Sequence, residues 1–192
     1  MSARPPSSAA PAATLAELLA RCRRYEPAAQ RTLYDRFAGP MLALARQYAP
    51  TTADAEDALQ EAFIKVFQRL PDQLVEGAFA GWVRQIVVRT ALDAWQRRRA
   101  RLPTFELDAA HHLPAPDASA VEQLTLAEVR ALIERLPDGC RLVLLPYTVE
   151  GYSHAEIAAA LSIGESASSA QLARARQRLA VLVAAATREK RP

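Results

Sequence analysis

The sequence predicts an all-α protein with two small helical domains joined by a flexible, proline-containing linker. Apolar residues recur at three- and four-residue intervals through most of the chain, which is the helical period. The 192 residues include only six glycines and few alternating runs of β-branched residues, which argues against a sheet-rich fold. One proline-rich stretch without a period separates two periodic regions, so we predict a domain on each side of it.

The first domain is predicted to span residues 14–101, after a tail of residues 1–13. The tail is rich in Pro, Ser and Ala and has no apolar core of the kind a signal peptide needs, so we expect it to be disordered. Helical periodicity begins near Thr14, resumes after Pro27 and stops at Pro50. Two helices are therefore expected before the acidic segment that follows.

The acidic segment reads DAEDALQEAFIKVFQRL over residues 54–70. On a helical wheel its apolar stripe consists of Leu59, Phe63, Val66, Phe67 and Leu70. The opposite face carries Asp54, Asp57, Glu61, Lys65 and Gln68. Thr51, Thr52 or Asp54 can cap the helix, and Pro71 ends it. By periodicity alone the polar face could be a solvated surface whose acids favour the helix dipole.

A loop is expected from Pro71 to about Ala78, and a helix from Phe79 into the basic sequence WQRRRAR. Residues 81–102 contain six arginines against one acid, Asp93. Such clustering is typical of a polyanion-binding surface, although basic residues also suit a helix end.

Residues 102–120 are predicted to be the linker, because they contain three prolines and no sustained period. His111 and His112 lie within it, but no further ligand stands at a useful spacing, so no metal site is predicted. No cofactor is predicted either.

The second domain is predicted over residues 121–187, followed by a short tail of residues 188–192. It contains a short helix from Ser153, a turn around Ile163 and Gly164, and a second helix, which together outline a helix-turn-helix. Ser153 and Glu156 fit a capping box. Residues predicted to face out on the second helix are Ser168, Ser169, Gln171, Arg174, Arg178 and Arg176. An ordinary helical hairpin with a basic face is the alternative.

Several classes of protein find little support in the sequence. Cys22 and Cys140 stand far apart without a zinc or disulfide spacing, which suits a reducing cytoplasm. No stretch approaches the ~18 apolar residues of a membrane span. There is no glycine-rich phosphate loop and no recognisable catalytic grouping, so we expect neither an enzyme nor a membrane-inserted protein.

Two motifs together resemble one family, the extracytoplasmic-function group of bacterial sigma factors of the sigma-70 type. The segment DAEDALQEAFIKVF is similar to that family's DAED-x-x-Q-E-x-F signature. The segment GWVRQIVVRTALDAWQRRRAR is similar to the helix that recognises and helps to melt the minus-ten element, with Trp82, Ile86 and Asp93 matching. The stretch from Leu136 to Leu179 is similar to the domain that binds the minus-thirty-five element.

The resemblance implies a transcription initiation factor that directs core RNA polymerase to specific promoters. It implies that Asp54, Asp57, Gln60 and Glu61 dock on the clamp helices of the β′ subunit, and that the β-subunit flap is a second contact. The residues that it implies for binding minus-ten DNA are Trp82, Arg84, Gln85, Arg89 and Arg97. It also implies a loop near residues 71–81 that holds a flipped base. The residues that it implies for binding minus-thirty-five DNA are Ser153, His154, Ser168, Ser169, Gln171, Arg174, Arg176 and Arg178. An anti-sigma factor is a further implied partner, and the bacterial cytoplasm the implied location.

Four positions depart from the family pattern. Arg89 replaces a common Asn, and Gln96 replaces a common basic residue. Ala167 replaces a common capping Thr, and Pro146 is expected to kink its helix because it removes a backbone hydrogen bond.

The sequence alone also allows three other functions. The chain could be a stand-alone helix-turn-helix regulator that needs no polymerase. It could be an enzyme that holds a divalent metal with Asp54, Glu56, Asp57 and Glu61, or a degenerate sigma-like protein that has lost promoter binding.

Overall fold

The computed structural model describes residues 14–70, 76–99 and 124–189, and it is helical throughout these ranges apart from short turns. The helices are α1 (Leu15–Arg23), α2 (Pro27–Ala45), α3 (Thr52–Gln68), α4 (Glu76–Arg99), α5 (Leu126–Glu134), α6 (Asp138–Thr148), α7 (His154–Leu161) and α8 (Glu165–Glu189). No β-strand occurs within these residues. The all-α prediction with two helical domains is confirmed, and the predicted linker of residues 102–120 lies outside the described residues.

Side-chain caps fix the start of several helices. Thr14 and Thr125 each form a capping box with the glutamate three residues later. The capping box predicted for Ser153 and Glu156 is confirmed, since each side chain accepts a hydrogen bond from the other residue's backbone N–H. These caps satisfy backbone donors that a first helical turn leaves without partners.

The first domain packs α2, α3 and α4 around an aromatic core, with α1 against α2. Phe63 is 2% exposed, and its ring meets Tyr34 edge-on with the centroids 4.7 Å apart. Phe37 and Phe79 form a second edge-on pair at 5.2 Å. The predicted stripe of α3 does enter this core, although Phe67 and Leu70 are only half-buried.

The predicted loop near residues 71–81 is wrong over residues 76–81, because α4 already begins at Glu76. Gly81 lies inside this helix, although glycine costs about 1 kcal/mol relative to alanine in a helix interior. Burial of Phe79 against Phe37 and Trp82 stabilises this turn instead. Residues 71–75 lie outside the described residues.

In the second domain α5, α6 and α7 pack against α8. The predicted turn is confirmed: Ser162 ends α7 with a φ of 50°, and α8 starts at Glu165. The kink expected at Pro146 has little helix to act on, because α6 ends two residues later at Thr148. Of the helices in residues 14–70, 76–99 and 124–189, none is long and apolar enough to span a membrane.

Candidate functional site

The outer face of α3 carries acids and an amide, and these side chains fall into two kinds. Asp57 and Gln60 are exposed. Asp54 is half-buried, and its Oδ2 lies 2.7 Å from Nη1 of Arg98 on α4 and 2.6 Å from the hydroxyl of Thr51. The docking face predicted from the sequence is therefore open at Asp57 and Gln60 but already occupied at Asp54.

Glu61 lies at the centre of a small charge cluster. Its carboxylate is 2.9 Å from Nζ of Lys65 and 2.6 Å from Nη2 of Arg97, while Lys65 also donates to the buried hydroxyl of Thr90 at 3.1 Å. Burial alone would raise the pKa of Glu61, but the hydrogen bonds from Lys65 and Arg97 outweigh it and hold that pKa below its usual value. The structure thus joins two residues that the sequence had assigned to different surfaces: Glu61 for polymerase and Arg97 for DNA.

The predicted minus-ten residues lie along α4. Trp82 is half-buried beside Phe79, Gln85 is exposed, and Arg89 is exposed with its Nε 3.3 Å from Asp93. Arg84 is half-exposed and forms a bidentate ion pair with Glu150 of the second domain. The helix therefore presents polar and aromatic groups together along its length, as a surface for single-stranded nucleic acid would require.

The predicted minus-thirty-five residues lie at the start of α7 and along α8. Ser153 is exposed but uses its hydroxyl in the helix cap. The His154 ring stacks on Tyr147 with the centroids 4.5 Å apart, and the Arg176 guanidinium lies 6.0 Å from the same ring. Ser169 is exposed, and Arg174 and Arg178 are half-buried and engaged in contacts of their own.

The prediction that Ser168 and Gln171 face out is wrong. Ser168 has no exposed surface, and its Oγ is 2.9 Å from Nδ1 of His154. Gln171 is 9% exposed, and its carbonyl oxygen accepts a hydrogen bond from Sγ of Cys140 at 3.5 Å. Both lie on the inward side of α8 beside Leu172, so their polar groups find partners within the domain rather than on DNA.

Two residues that matter here gave no usable signal in the sequence. Tyr147 organises His154 and Arg176, but it looks like any aromatic residue at the end of an apolar helix. Glu150 stands in a turn, and its partner Arg84 is 66 positions away, so only the tertiary structure brings them together. The described part of the chain holds no group of three or more His, Cys, Asp or Glu side chains able to bind a metal ion. Asp54 and Glu61 are paired with arginines instead.

Two helical domains, the second with a helix-turn-helix and a basic exposed face, define a helical DNA-binding protein. Comparison with known protein families identifies the kind of DNA-binding protein more closely. The Sigma-70 region 2 family matches residues 33–101, and the Sigma-70 region 4 family matches residues 126–179. These two matches fall on the first and the second domain.

Individual relatives agree with the family matches. The ECF RNA polymerase sigma factor SigM of Mycobacterium tuberculosis (strain H37Rv) is 34% identical over 168 residues, covering 88% of this chain and 84% of the relative. The ECF RNA polymerase sigma-E factor of Escherichia coli K12 is 29% identical over 171 residues, covering 83% and 89%. Among solved structures, CnrH in complex with the cytosolic domain of CnrY superposes with a TM-score of 0.45 and 24% identity, covering 88% of this chain and 97% of that one.

The chain belongs to the sigma-70 family, as a member of its extracytoplasmic-function group. It is thus a transcription initiation factor that works with RNA polymerase, and the resemblance seen in its sequence motifs is confirmed.

Proposed function

We propose that three helical faces of this initiation factor each bind a different partner. The outer face of α3 binds core RNA polymerase, α4 binds the minus-ten element, and α8 with the start of α7 binds the minus-thirty-five element. Each matched family region has a helix whose inner face is buried and whose outer face is polar, and this division supports the assignment. A helix of this kind is free to bind a partner without loss of the fold.

Core binding is assigned chiefly to Asp57 and Gln60. Both are exposed at the middle of α3, whereas Asp54 and Glu61 are held by Arg98 and Arg97. An acidic surface of this kind favours a partner of complementary charge, which suits the clamp helices of the β′ subunit. Asp54 and Glu61 bind the same partner once Arg98 and Arg97 have released them.

Minus-ten binding is assigned to Trp82, Gln85 and Arg89, together with Arg84 and Arg97 once their ion pairs open. Trp82 offers an aromatic surface for a base of the separated strand, and the arginines suit its phosphates. The ion pair of Arg89 with Asp93 is long and lies at the protein surface, so the guanidinium can turn towards DNA at little cost.

Minus-thirty-five binding is assigned to Ser169, Arg174, Arg176 and Arg178 on α8, with Ser153 and His154 at the start of α7. Polar and basic side chains of a second helix are the usual means by which a helix-turn-helix contacts base edges and phosphates. Ser168 is buried beneath this surface, and its hydroxyl holds the His154 ring in place through a hydrogen bond. Gln171 holds α8 against α6 through Cys140.

We assign the β-subunit flap to the second domain and expect an anti-sigma factor to restrain the free protein, as membership of this group suggests. The protein acts without catalysis, in the bacterial cytoplasm where RNA polymerase works.

Replacing both Arg174 and Arg178 with alanine should weaken binding of the polymerase complex to its promoter and flatten the salt dependence. Each lost phosphate contact reduces the magnitude of the negative slope of log K against log salt by about 0.9. The measurement is fluorescence anisotropy with a duplex fragment from the promoter of the protein's own operon, over roughly 50 to 200 mM salt.

The matched control is Arg188→Ala, which removes an exposed arginine from the last turn of the same helix. This variant should keep the wild-type slope. An unchanged slope in the double variant would reject the phosphate-binding role of Arg174 and Arg178.

A further inference from the structure

Three helices of the second domain meet at one tyrosine. Tyr147 is the last residue but one of α6, and His154 is the first residue of α7. Their rings stack with the centroids 4.5 Å apart and the planes 23° from parallel. The guanidinium carbon of Arg176, in the middle of α8, lies 6.0 Å from the centroid of the same tyrosine ring. Tyr147 therefore contacts a residue on each helix of the helix-turn-helix while belonging to neither of them.

The His154 ring is fixed from a second side. Its Nδ1 lies 2.9 Å from the hydroxyl oxygen of Ser168, a residue of α8 with no exposed surface. The stack on Tyr147 sets the plane of the imidazole, and the contact with Ser168 sets its rotation within that plane. Nε2 lies at the other edge of the ring from Nδ1, so these two contacts direct it away from the buried Ser168. An imidazole held in this way presents one polar atom in a defined direction.

The contact with Tyr147 places Arg176 without opposing its charge. Arg176 is exposed, and a long exposed side chain loses rotamer freedom when it binds a ligand. An aromatic ring attracts the guanidinium through its electron-rich face, and this attraction leaves the positive charge in place. Arg97 and Arg98 of α4 differ, because each is paired with a carboxylate of α3. The guanidinium of Arg176 is thus held in position while its charge stays available to a phosphate.

Tyr147 lies at the edge of the core rather than inside it. Its side chain is 37% exposed, whereas the three residues before it, Leu144, Leu145 and Pro146, are buried. Replacing it with another apolar residue should therefore leave the core of the domain intact. A side chain that is already ordered before binding loses less entropy on binding than a mobile one. The ring can thus act on DNA binding, through its two neighbours, while contributing little to stability.

We propose that Tyr147 is a positioning residue for minus-thirty-five DNA: its ring holds Arg176 and His154 in the orientation in which both contact the DNA backbone. This inference rests on the assignment of Arg176 and His154 to minus-thirty-five DNA. It adds a residue of α6, outside the helix-turn-helix, to those that set the affinity. Without the ring the guanidinium of Arg176 is no longer fixed, and its phosphate contact is lost.

The test uses the complex of core RNA polymerase with the full-length protein and a labelled duplex that carries the promoter of its own operon. Tyr147→Leu removes the ring, keeps an apolar side chain and changes no charge. It should nevertheless reduce the magnitude of the negative slope of log K against log salt by about 0.9, the value for one lost phosphate contact. Arg176→Ala should give the same reduction, and the two changes combined should give no more. A loss of stability alone would not produce this result, because a smaller folded fraction lowers the apparent affinity at every salt concentration alike.

Two further variants serve as controls. Tyr147→Phe keeps the ring and should retain the wild-type slope, and a reduced slope for this variant would contradict a role of the ring. Tyr25→Leu makes the same change as Tyr147→Leu at an exposed tyrosine of the first domain. It should also retain the wild-type slope.

The outcomes separate the positioning role from the assignment on which it rests. A wild-type slope for Tyr147→Leu beside a reduced slope for Arg176→Ala would overturn the positioning role and leave Arg176 as a phosphate contact. A wild-type slope for Arg176→Ala would overturn both. A larger reduction in the double variant than in either single variant would mean that Tyr147 and Arg176 act separately, which also contradicts the proposal.

Discussion

Reversal of charge at Asp57 should cost about tenfold or more in affinity for core RNA polymerase, which corresponds to about 1.4 kcal/mol. Asp57 is an exposed acid on the outer face of α3, so Asp57→Lys puts a positive charge where the proposal places a basic partner. The fold should be kept, because changes at exposed helix positions usually alter the free energy of unfolding by less than about 0.5 kcal/mol. Binding of labelled protein to purified core enzyme measures the effect.

Asp35→Lys is the matched control for this experiment. Asp35 is an exposed acid on α2 that pairs with Arg31 in a surface ion pair, and such pairs contribute little to stability. It should bind core enzyme as the wild type does. Equal affinity for Asp57→Lys and the wild type would remove the docking role from the outer face of α3.

Truncation of Phe63 should have the largest effect on stability, because it empties the centre of the first domain. The side chain is 2% exposed and contacts the rings of Tyr34 and Phe67. Phe→Ala changes at such sites cost about 3 to 5 kcal/mol. Both tryptophans of the chain, Trp82 and Trp95, lie on α4, so urea unfolding followed by tryptophan fluorescence reports on the first domain.

The control is the next residue along the helix. Ile64 is 58% exposed, so Ile64→Ala should lower the free energy of unfolding by less than about 1 kcal/mol. Similar losses for Phe63→Ala and Ile64→Ala would mean that the two faces of α3 are not divided between core and partner as described.

Features governed by neighbours in sequence could be predicted. The apolar stripe of α3 and the capping box at Ser153 depend on spacings of three and four residues, and both occur in the structure. The turn around Ile163 and Gly164 is equally local, because it needs only the end of one amphipathic pattern and the start of the next. Such signals persist whatever the rest of the chain does.

Features governed by distant partners could not be predicted. Ser168 and Gln171 are polar, so their types suggested exposure, but His154 and Cys140 satisfy them inside the domain. The start of α4 depends on a ring of α2 that supports Phe79. Likewise, nothing near Glu150 in the sequence indicates that Arg84 will meet it.

The ion pairs between α3 and α4 in the first domain could not be predicted from the sequence motifs. Sequence motifs separate an acidic helix from a basic one, yet α3 and α4 lie side by side and pair Glu61 with Arg97 and Asp54 with Arg98. In the assignment proposed above, a partner that binds the acids of α3 would free arginines of α4 for DNA, and these ion pairs would link polymerase binding to DNA binding.

Run-off transcription is the direct test of whether this chain is an initiation factor. Purified core RNA polymerase is supplied with a template that carries the promoter of the protein's own operon, with and without the protein. We expect a transcript of defined length only when the protein is present, and we expect Asp57→Lys to abolish it. No transcript from any such template, together with no binding to core enzyme, would contradict the assignment of this chain as an initiation factor.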